Sequence, residues 1–297
     1  MHTRPGYRLL FCLLLSFAIT LVANQNAAAQ AQTAQEAGAT TITVTVTDHD
    51  HHPVTGLKAE DFTLYENGQR QPISSVSSAD TPACIGLVVD RSGSMRGKHA
   101  AIASTMREFA QAGNPDNQIF VVLFSDDPTL EQNFTRDAAL IERSIARANA
   151  RGGTAMYDAI IASVGHLAEN KRCGKRVLLI VGDGVDNESR KSLEDTLHAL
   201  QTAGNPLVYA IVLPHPNGPS TRRQRALEAL TAQNGGTTLF AGDSDDMRKI
   251  ALKIAEEIRS QYGVSYARAK TGHPNVKVEA RAPDQKDLTV RVNVPVR

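Results

Sequence analysis

The hydrophobic and polar positions of this chain follow two kinds of pattern. Between residues 81 and 260, short continuous apolar runs alternate with segments in which apolar residues recur every three or four positions. The runs are typical of strands buried on both faces of a parallel sheet, and the recurrent spacing is typical of amphipathic helices. Residues 41–80 and 261–297 instead alternate apolar with polar positions, which predicts half-buried strands.

The central region predicts an α/β fold with a doubly wound, mostly parallel, Rossmann-like sheet. We place its strands at residues 84–89, 118–124, 176–181, 207–213 and 237–241, with a short antiparallel edge segment at 130–134. The apolar stripes of the helices are predicted to form the core, and their members are Ile102, Met106, Phe109, Ile160, Val164, Leu167, Leu193, Leu197, Leu200, Met247, Ile250, Ile254 and Ile258.

The two flanking segments are predicted to form one small β-sandwich. A domain that starts with a strand and ends with a helix has both ends on the edge opposite its ligand site, so residues 41–80 and 261–297 can meet there. Each segment has roughly 40 residues, which bury too little surface to be stable alone. Within the first segment, Glu66-Asn67-Gly68 predicts a hairpin turn.

Residues 1–29 have the pattern of a secretory signal peptide, with a basic start, an apolar run over residues 9–23 and small residues at 27–29. The apolar run is short for a transmembrane helix, so we expect no stable membrane insertion after cleavage, with an uncleaved anchor as the alternative. Residues 30–40 are rich in Ala, Gln and Thr without periodicity and are predicted to be a disordered linker. The protein is therefore expected to be secreted or periplasmic.

The charge balance gives no reason to expect nucleic acid or an anionic membrane as a partner. The chain has 32 basic and 31 acidic residues, and the predicted signal peptide holds two of the basic ones, Arg4 and Arg8, and no acid. Without the signal peptide the chain has one more acidic than basic residue. It therefore lacks the excess of basic residues that binds polyanions.

The chemistry of the chain is concentrated where the first central strand ends. The apolar run 84–89 is followed by Asp90, and then by hydroxyls at alternate positions, Ser92 and Ser94, before a helical pattern begins. A carboxylate and two hydroxyls at such a turn form an oxygen-rich pocket that suits a hard divalent cation. A capped helix start with an incidental acid is the plainer alternative.

This D-x-S-x-S motif resembles the metal-ion-dependent adhesion site of von Willebrand factor type A domains, the family that includes integrin inserted domains. In that family a Thr from a second loop and an Asp from a third loop complete the site. This chain offers both in the right order, because Thr154 follows two glycines between helical segments and Asp183 lies between two glycines after an apolar strand. The resemblance implies a site for Mg²⁺, or for Mn²⁺ or Ca²⁺, made of Asp90, Ser92, Ser94, Thr154 and Asp183.

The resemblance also implies how such a site works. Ser92, Ser94 and Thr154 are expected to bind the ion directly, while Asp90 and Asp183 hold it through water. The ion then stays electrophilic, and an Asp or Glu side chain of a partner protein can fill its vacant position. The expected function is that of an exported, non-enzymatic binding protein, and a cell-envelope scaffold with a purely stabilising metal is the alternative.

A second resemblance covers the region before the motif. A family of secreted bacterial proteins that carry a type A domain, described chiefly from Acidobacteria, has a similar N-terminal segment. The matching residues here are Pro53-Val54-Thr55-Gly56-Leu57, Asp61-Phe62 and Glu66-Asn67-Gly68. This likeness covers most of the chain after the signal peptide and implies a secreted bacterial protein.

A haloacid-dehalogenase-like phosphatase is the enzymatic rival, because the sequence from Gly182 to Asp186 resembles the last metal motif of that superfamily. Its first motif needs a nucleophilic Asp and a second Asp two residues later for acid/base chemistry. Ser92 occupies that second position, so the general acid is missing.

Cys84 and Cys173 remain after the signal peptide is removed, and an even count in an oxidising compartment favours a disulfide. If the strands have the spatial order 3-2-1-4-5-6, both cysteines lie at the same edge of neighbouring strands. Two separate buried thiols are the alternative.

Three further features of the sequence carry acidic or histidine side chains. The cluster of acids and histidines at residues 48–52 is predicted to be a solvated turn, with a second metal site as the less favoured reading. Asp126 is predicted to be a solvated loop acid, with a place on the rim of the metal site as the alternative. His99 is expected to face solvent on the first helix.

Overall fold

The computed structural model describes residues 39–78, 80–170, 173–218, 221–268, 275–282 and 287–295. The predicted signal peptide, 1–29, and the predicted linker up to residue 38 lie outside these residues. The linker prediction was wrong at its end, because Ala39 and Thr40 already belong to the first strand. Their backbones pair antiparallel with residues near the other end of the chain, with Ala39 opposite Ala267.

The strands in chain order are β1 (Ala39–Thr47), β2 (Phe62–Glu66), β3 (Gln69–Gln71), β4 (Ile73–Ser77), β5 (Ala83–Asp90), β6 (Gln118–Phe124), β7 (Pro128–Thr135), β8 (Lys175–Gly182), β9 (Leu207–Val212), β10 (Thr238–Phe240), β11 (Tyr262–Ala267), β12 (Val276–Ala280) and β13 (Thr289–Asn293). The helices are α1 (His99–Ala112), α2 (Ala138–Ala146), α3 (Met156–Glu169), α4 (Leu193–Thr202), α5 (Thr221–Gln233) and α6 (Ser244–Arg259). Among the described residues, no helix combines the length and the apolar character that a membrane span requires.

The central sheet has the order β10-β9-β8-β5-β6-β7, which confirms the predicted doubly wound topology. All neighbours pair in parallel except β7, which runs antiparallel to β6 at the edge as predicted. Every residue of β5 is buried, as expected for a strand with helices on both faces. Because β5 and β8 are adjacent, their carboxyl ends bring Asp90 and the residues after Gly182 to the same edge.

The side chains of the central strands divide between two apolar layers. Ile85, Leu87 and Val89 of β5 pack toward α1, α2 and α6, whereas Cys84 and Val88 pack toward α3, α4 and α5. The predicted helical stripes lie in these layers, so the period of the sequence pattern placed them correctly.

The flanking segments form one β-sandwich, as predicted. One sheet has the order β13-β1-β11-β4 and the other has the order β12-β2-β3, and a single apolar cluster lies between them. The hairpin between β2 and β3 turns at Asn67 and Gly68, whose φ angles are 52° and 81°. Positive φ at both central residues favours this Asn-Gly pair and matches the predicted turn.

A buried polar network joins the sandwich to the central domain. Tyr209 of β9 donates from its hydroxyl to Glu257 of α6 over 2.5 Å, and Glu257 forms an ion pair with Arg291 of β13, also at 2.5 Å. Gln261, just after α6, donates to the hydroxyls of both Tyr209 and Thr45 of β1. The last helix therefore contacts a strand from the C-terminal end of the chain, and the residue just after it contacts a strand from the N-terminal end.

Replacing Arg291 by Met is expected to lower the free energy of unfolding by about 3 kcal/mol, because the Glu257 carboxylate would stay buried without its charge partner. Urea denaturation measures the change. Arg281→Met is the matched control, since Arg281 is exposed and lies just after β12, the strand that precedes β13 in the chain. This variant should change the free energy of unfolding by less than about 0.5 kcal/mol. Equal effects of the two variants would contradict a specific role of the ion pair.

A disulfide links Cys84, at the start of β5, to Cys173, just before β8. Their Cα atoms are 5.6 Å apart, which lies within the usual range for a bridged pair. The bridge closes the amino ends of two adjacent parallel strands, at the edge of the sheet opposite Asp90.

Candidate metal centre

Asp90 is the last residue of β5, and only 1% of its surface is exposed. Its Oδ1 accepts the backbone N–H of Ser92 over 2.7 Å, whereas its Oδ2 is buried without a hydrogen-bond partner. A buried carboxylate oxygen that no protein group satisfies is costly, so it marks a place where a cation or water belongs.

The turn after Asp90 brings the two serines together. Residues Gly93–Met95 form a short 3-10 helix, and the Oγ atoms of Ser92 and Ser94 lie 3.1 Å apart. Ser94 also donates from its hydroxyl to Oδ2 of Asp183 over 2.5 Å. The predicted site residues of the first and third loops are therefore in direct contact.

Asp183 directly follows β8, and its side chain is fully buried. Its Oδ1 accepts the backbone N–H of Val185 over 3.1 Å, which fixes the carboxylate toward the serines. Two carboxylates and two hydroxyls thus converge at the carboxyl ends of β5 and β8. In open α/β sheets this edge is where ligands bind.

The loop of Thr154 is held against the same edge by backbone contacts. Gly152 accepts the N–H of Gly93 over 3.2 Å, and the Arg151 N–H donates to the Arg91 carbonyl over 3.0 Å. Thr154 is 3% exposed, and its own N–H donates to Oδ1 of Asn187 over 2.8 Å. The second loop is thereby positioned between the first and the third.

The segment after Asp183 also caps α3, which begins two residues beyond Thr154. Asp186 and Ser189 accept the N–H of Tyr157, and Ser189 also accepts the N–H of Asp158. In return, the Asp158 carboxylate accepts two backbone N–H groups from residues 190 and 191. This reciprocal capping joins the second loop to the third.

Burial raises the pKa of the Asp90 carboxyl from 3.8 to about 7, and the nearby negative charge of Asp183 adds to this effect. The hydrogen bonds from Ser92 act in the opposite direction but are outweighed. Ionising the buried Asp90 carboxyl therefore costs free energy, and a bound divalent cation would offset that cost. The donor set, which contains only oxygens, fits such an ion.

Without metal, Asp90 is expected to make the protein less stable as the pH rises from about 4 to about 7. The folded state retains a proton that the unfolded chain has already lost, so the free energy of unfolding falls by about 1.4 kcal/mol per pH unit in this window from this group. Comparing the protein with Asp90→Asn in chelator isolates the effect. A stability difference that does not change with pH would contradict it.

Gly182 provides the space that the Asp90 side chain occupies. A Cβ at position 182 would lie 2.8 Å from Cβ of Asp90, which is closer than side chains tolerate. Gly182→Ala is therefore expected to lower the unfolding free energy by about 1–3 kcal/mol and to displace the carboxylate. Calorimetry with Mg²⁺ should show at least about tenfold weaker binding.

Gly165→Ala is the control for that substitution. Gly165 is exposed in α3, and a Cβ there would have no neighbour within 4 Å. Alanine favours helix over glycine, so this variant should be slightly more stable and should bind metal as before. Equal metal affinity in both alanine variants would show that Gly182 does not position Asp90.

Two predictions around the site need correction or refinement. The expectation that His99 faces solvent was wrong: its side chain is buried, and its Nε2 lies 3.0 Å from the carbonyl oxygen of Asp90. Asp126 is exposed as expected, yet its Oδ1 accepts the Gly153 N–H over 2.6 Å and so supports the Thr154 loop. In both cases a contact with another segment of the chain decides the position.

The cluster of acids and histidines at residues 48–52 forms a turn in which Asp48 accepts the backbone N–H groups of Asp50 and His52. Throughout the described part of the chain, no three His, Cys, Asp or Glu side chains are grouped as they would be around a metal ion. The favoured reading, a solvated turn, agrees with this geometry.

Two residues that contribute to the site were missed from the sequence. Asn187 accepts the Thr154 N–H and donates its own N–H to the Thr154 carbonyl over 2.9 Å. His215 places its Nε2 3.9 Å from Oδ2 of Asp183. The position of His215 soon after β9 was a usable signal, because it stands at the same sheet edge as Asp90 and Asp183.

Comparison with known proteins finds a family similarity in the central part of the chain. Residues 85–185 match the sequence model of the von Willebrand factor type A domain. The fold is similar to that of a von Willebrand factor type A protein from Catenulispora acidiphila, with a TM-score of 0.53 and 11% identity over 87% of this chain and 74% of that chain. Among curated proteins, none matches the sequence.

Two further solved structures have a similar fold. One is the vWF domain of a type V pili tip protein from Porphyromonas gingivalis, with a TM-score of 0.50 and 12% identity over 61% of this chain and 97% of that chain. The other is proximal thread matrix protein 1 from the mussel byssus, with a TM-score of 0.51 and 18% identity over 69% of this chain and 50% of that chain. Identities this low establish a shared fold alone.

Proposed function

We propose that this chain, which contains a von Willebrand factor type A domain, is an exported, non-enzymatic binding protein. It captures an acidic side chain of a partner protein through a bound metal ion. The observation that carries the proposal is the buried, unpartnered Oδ2 of Asp90 beside the buried carboxylate of Asp183. Such a pair is unfavourable unless a cation lies between or beside its members.

Five residues would hold the ion, which is Mg²⁺ in our proposal, with Mn²⁺ or Ca²⁺ as substitutes. Ser92, Ser94 and Thr154 would supply neutral hydroxyl ligands, while Asp90 and Asp183 would hold waters and balance the charge. Two carboxylates only just neutralise a divalent ion, so it would attract a further carboxylate. A Glu or Asp of the partner would supply that carboxylate as a strong, charge-assisted contact.

Two points favour a binding role over an enzymatic one. Ser92 stands where a phosphatase of the haloacid dehalogenase type needs its second acid, so protonation of a leaving group has no candidate at that position. Structurally similar proteins include a pilus tip protein and a thread matrix protein, which supports adhesion at an extracellular or envelope location. The predicted signal peptide supports export in the same way.

The proposal is tested with a matched pair of peptides, Ac-Gly-Glu-Gly-NH₂ and Ac-Gly-Gln-Gly-NH₂, titrated into the protein and followed by NMR. We expect the glutamate peptide to bind in Mg²⁺ and to lose binding in EDTA, while the glutamine peptide does not bind in either. Binding of both peptides, or binding that survives EDTA, would overturn the proposal.

The alternative of a structural scaffold shares every site residue, so only the measured property separates the two functions. A scaffold should lose stability when the metal is removed and should not bind the glutamate peptide. A binding module should bind the peptide in a metal-dependent manner, whatever the size of the stability change. Thermal unfolding with and without EDTA therefore accompanies the titration.

A further inference from the structure

A pocket of about 280 Å³ opens directly beside the proposed metal centre. Its walls come from the carboxyl ends of β9 and β10 and from α5, and they include Leu213, Pro214, Leu227 and Phe240. Asp183 forms the boundary between the pocket and the metal centre, because it belongs to both. The two features are therefore parts of one continuous surface.

Most residues that line the pocket are apolar, and its described polar side chains are those of Asp183, His215 and Gln224. Asp183 is the only acid among its described lining residues, and those residues include no Lys or Arg. Phe240 is 45% exposed, and it and Leu130 are the exposed large hydrophobic side chains of the described chain. A mostly apolar pocket with a few polar groups at its edge is typical of a binding site.

The wall nearest to Asp183 is held in place before any ligand arrives. His215 accepts the Asn217 N–H at its Nδ1 over 3.0 Å, and its Nε2 faces Asp183. The Pro214 carbonyl accepts a hydrogen bond from Nζ of Lys98, which follows the serine turn, over 2.6 Å. The pocket and the metal centre are thus linked by side chains from both.

We infer that this pocket receives one apolar side chain of the partner, at a position next to the Asp or Glu whose carboxylate reaches the metal. The inference rests on the proposed function. The occupant is inferred from the fact that the pocket and the metal centre share Asp183. A partner carboxylate bound beside Asp183 places the next residue of the partner's chain over the pocket. The volume is below that of most small-molecule sites and suits a single Leu or Phe side chain.

The test compares four peptides in saturating Mg²⁺: Ac-Gly-Glu-Gly-NH₂, Ac-Leu-Glu-Gly-NH₂, Ac-Gly-Glu-Leu-NH₂ and Ac-Gly-Glu-Phe-NH₂. Burying such a side chain should tighten binding by about tenfold or more over the all-glycine peptide for at least one flanking position. NMR titration gives the dissociation constants, and the chemical shifts of residues 212–215 locate the apolar contact.

Substitutions at Phe240 identify the pocket as the source of the gain. Phe240→Ser should reduce the gain to less than about threefold, while Phe240→Leu should retain most of it. Leu130→Ser is the matched control, because Leu130 is 46% exposed but lies on β7 at the far edge of the sheet, and it should leave the gain unchanged. All three variants should bind Mg²⁺ as the parent does.

The outcomes separate this inference from the proposed function. If the all-glycine peptide binds in a Mg²⁺-dependent way but no flanking Leu or Phe tightens it, the pocket inference is wrong and the proposed function stands. If the gain is the same in Phe240→Ser, the apolar contact lies elsewhere and the inference is again wrong. If no peptide responds to Mg²⁺, both fail.

Discussion

Asp90→Asn is expected to abolish the response of the protein to Mg²⁺, Mn²⁺ and Ca²⁺. Asparagine has nearly the same shape and can still accept the Ser92 N–H, so the turn should keep its geometry. It removes the buried negative charge that the metal would neutralise. Calorimetry should show metal binding to the parent and none to the variant, which is a loss of at least about a hundredfold in affinity.

Thermal melting gives a second measurement of the same effect. A ligand present at about a hundred times its dissociation constant adds about 2.7 kcal/mol to the stability of the native state. The parent should show this gain, and Asp90→Asn should show none. In chelator at neutral pH the variant should be the more stable of the two, because it no longer buries a charged carboxylate.

Asp127→Asn is the control, because Asp127 lies close to the site in sequence but has an exposed side chain that pairs with Arg190 on the surface. It should bind metal as the parent does. If the parent protein binds none of the three metals, the D-x-S-x-S turn is only a helix start and the proposed function is wrong. The described fold would be unaffected. A metal response that survives in Asp90→Asn would place the ion elsewhere.

The fold was largely predictable because its signals are local. Apolar runs such as that of β5 specify buried strands, and the period of the helical stripes specifies which face packs inward. The sandwich was predicted from the position of the domain ends and from the small size of each segment. Its actual pairing, in which β1 lies between β11 and β13, depends on contacts between the two ends of the chain, and no local pattern encodes such contacts.

The site was predictable in part for the same reason. Asp90, Ser92 and Ser94 are local to one turn, whereas Thr154 and Asp183 were found through the family resemblance. The pocket could not be found, because Leu227 and Phe240 come from separate elements that meet only in the folded chain. The error at His99 has a similar cause, since the sequence does not show that the Asp90 carbonyl lies beside the face of α1 that carries His99.

Removing the disulfide with Cys84→Ala and Cys173→Ala is expected to lower the free energy of unfolding by about 4.5 kcal/mol. The bridge joins residues 89 positions apart, and closing a loop of that length removes much of the conformational entropy of the unfolded chain. Urea denaturation of the oxidised parent and of the double variant measures the difference. The parent in reductant should approach the variant, whereas the variant should not respond to reductant.

The same double variant separates stability from metal binding. The bridge lies at the amino ends of β5 and β8, whereas Asp90 and Asp183 stand at or beyond their carboxyl ends, and an eight-residue strand spans about 26 Å. The folded variant should therefore bind Mg²⁺ with unchanged affinity. A loss of affinity as large as that of Asp90→Asn would show that the bridge holds the two strand ends in register, and that the proposed ligands depend on the whole length of both strands for their position.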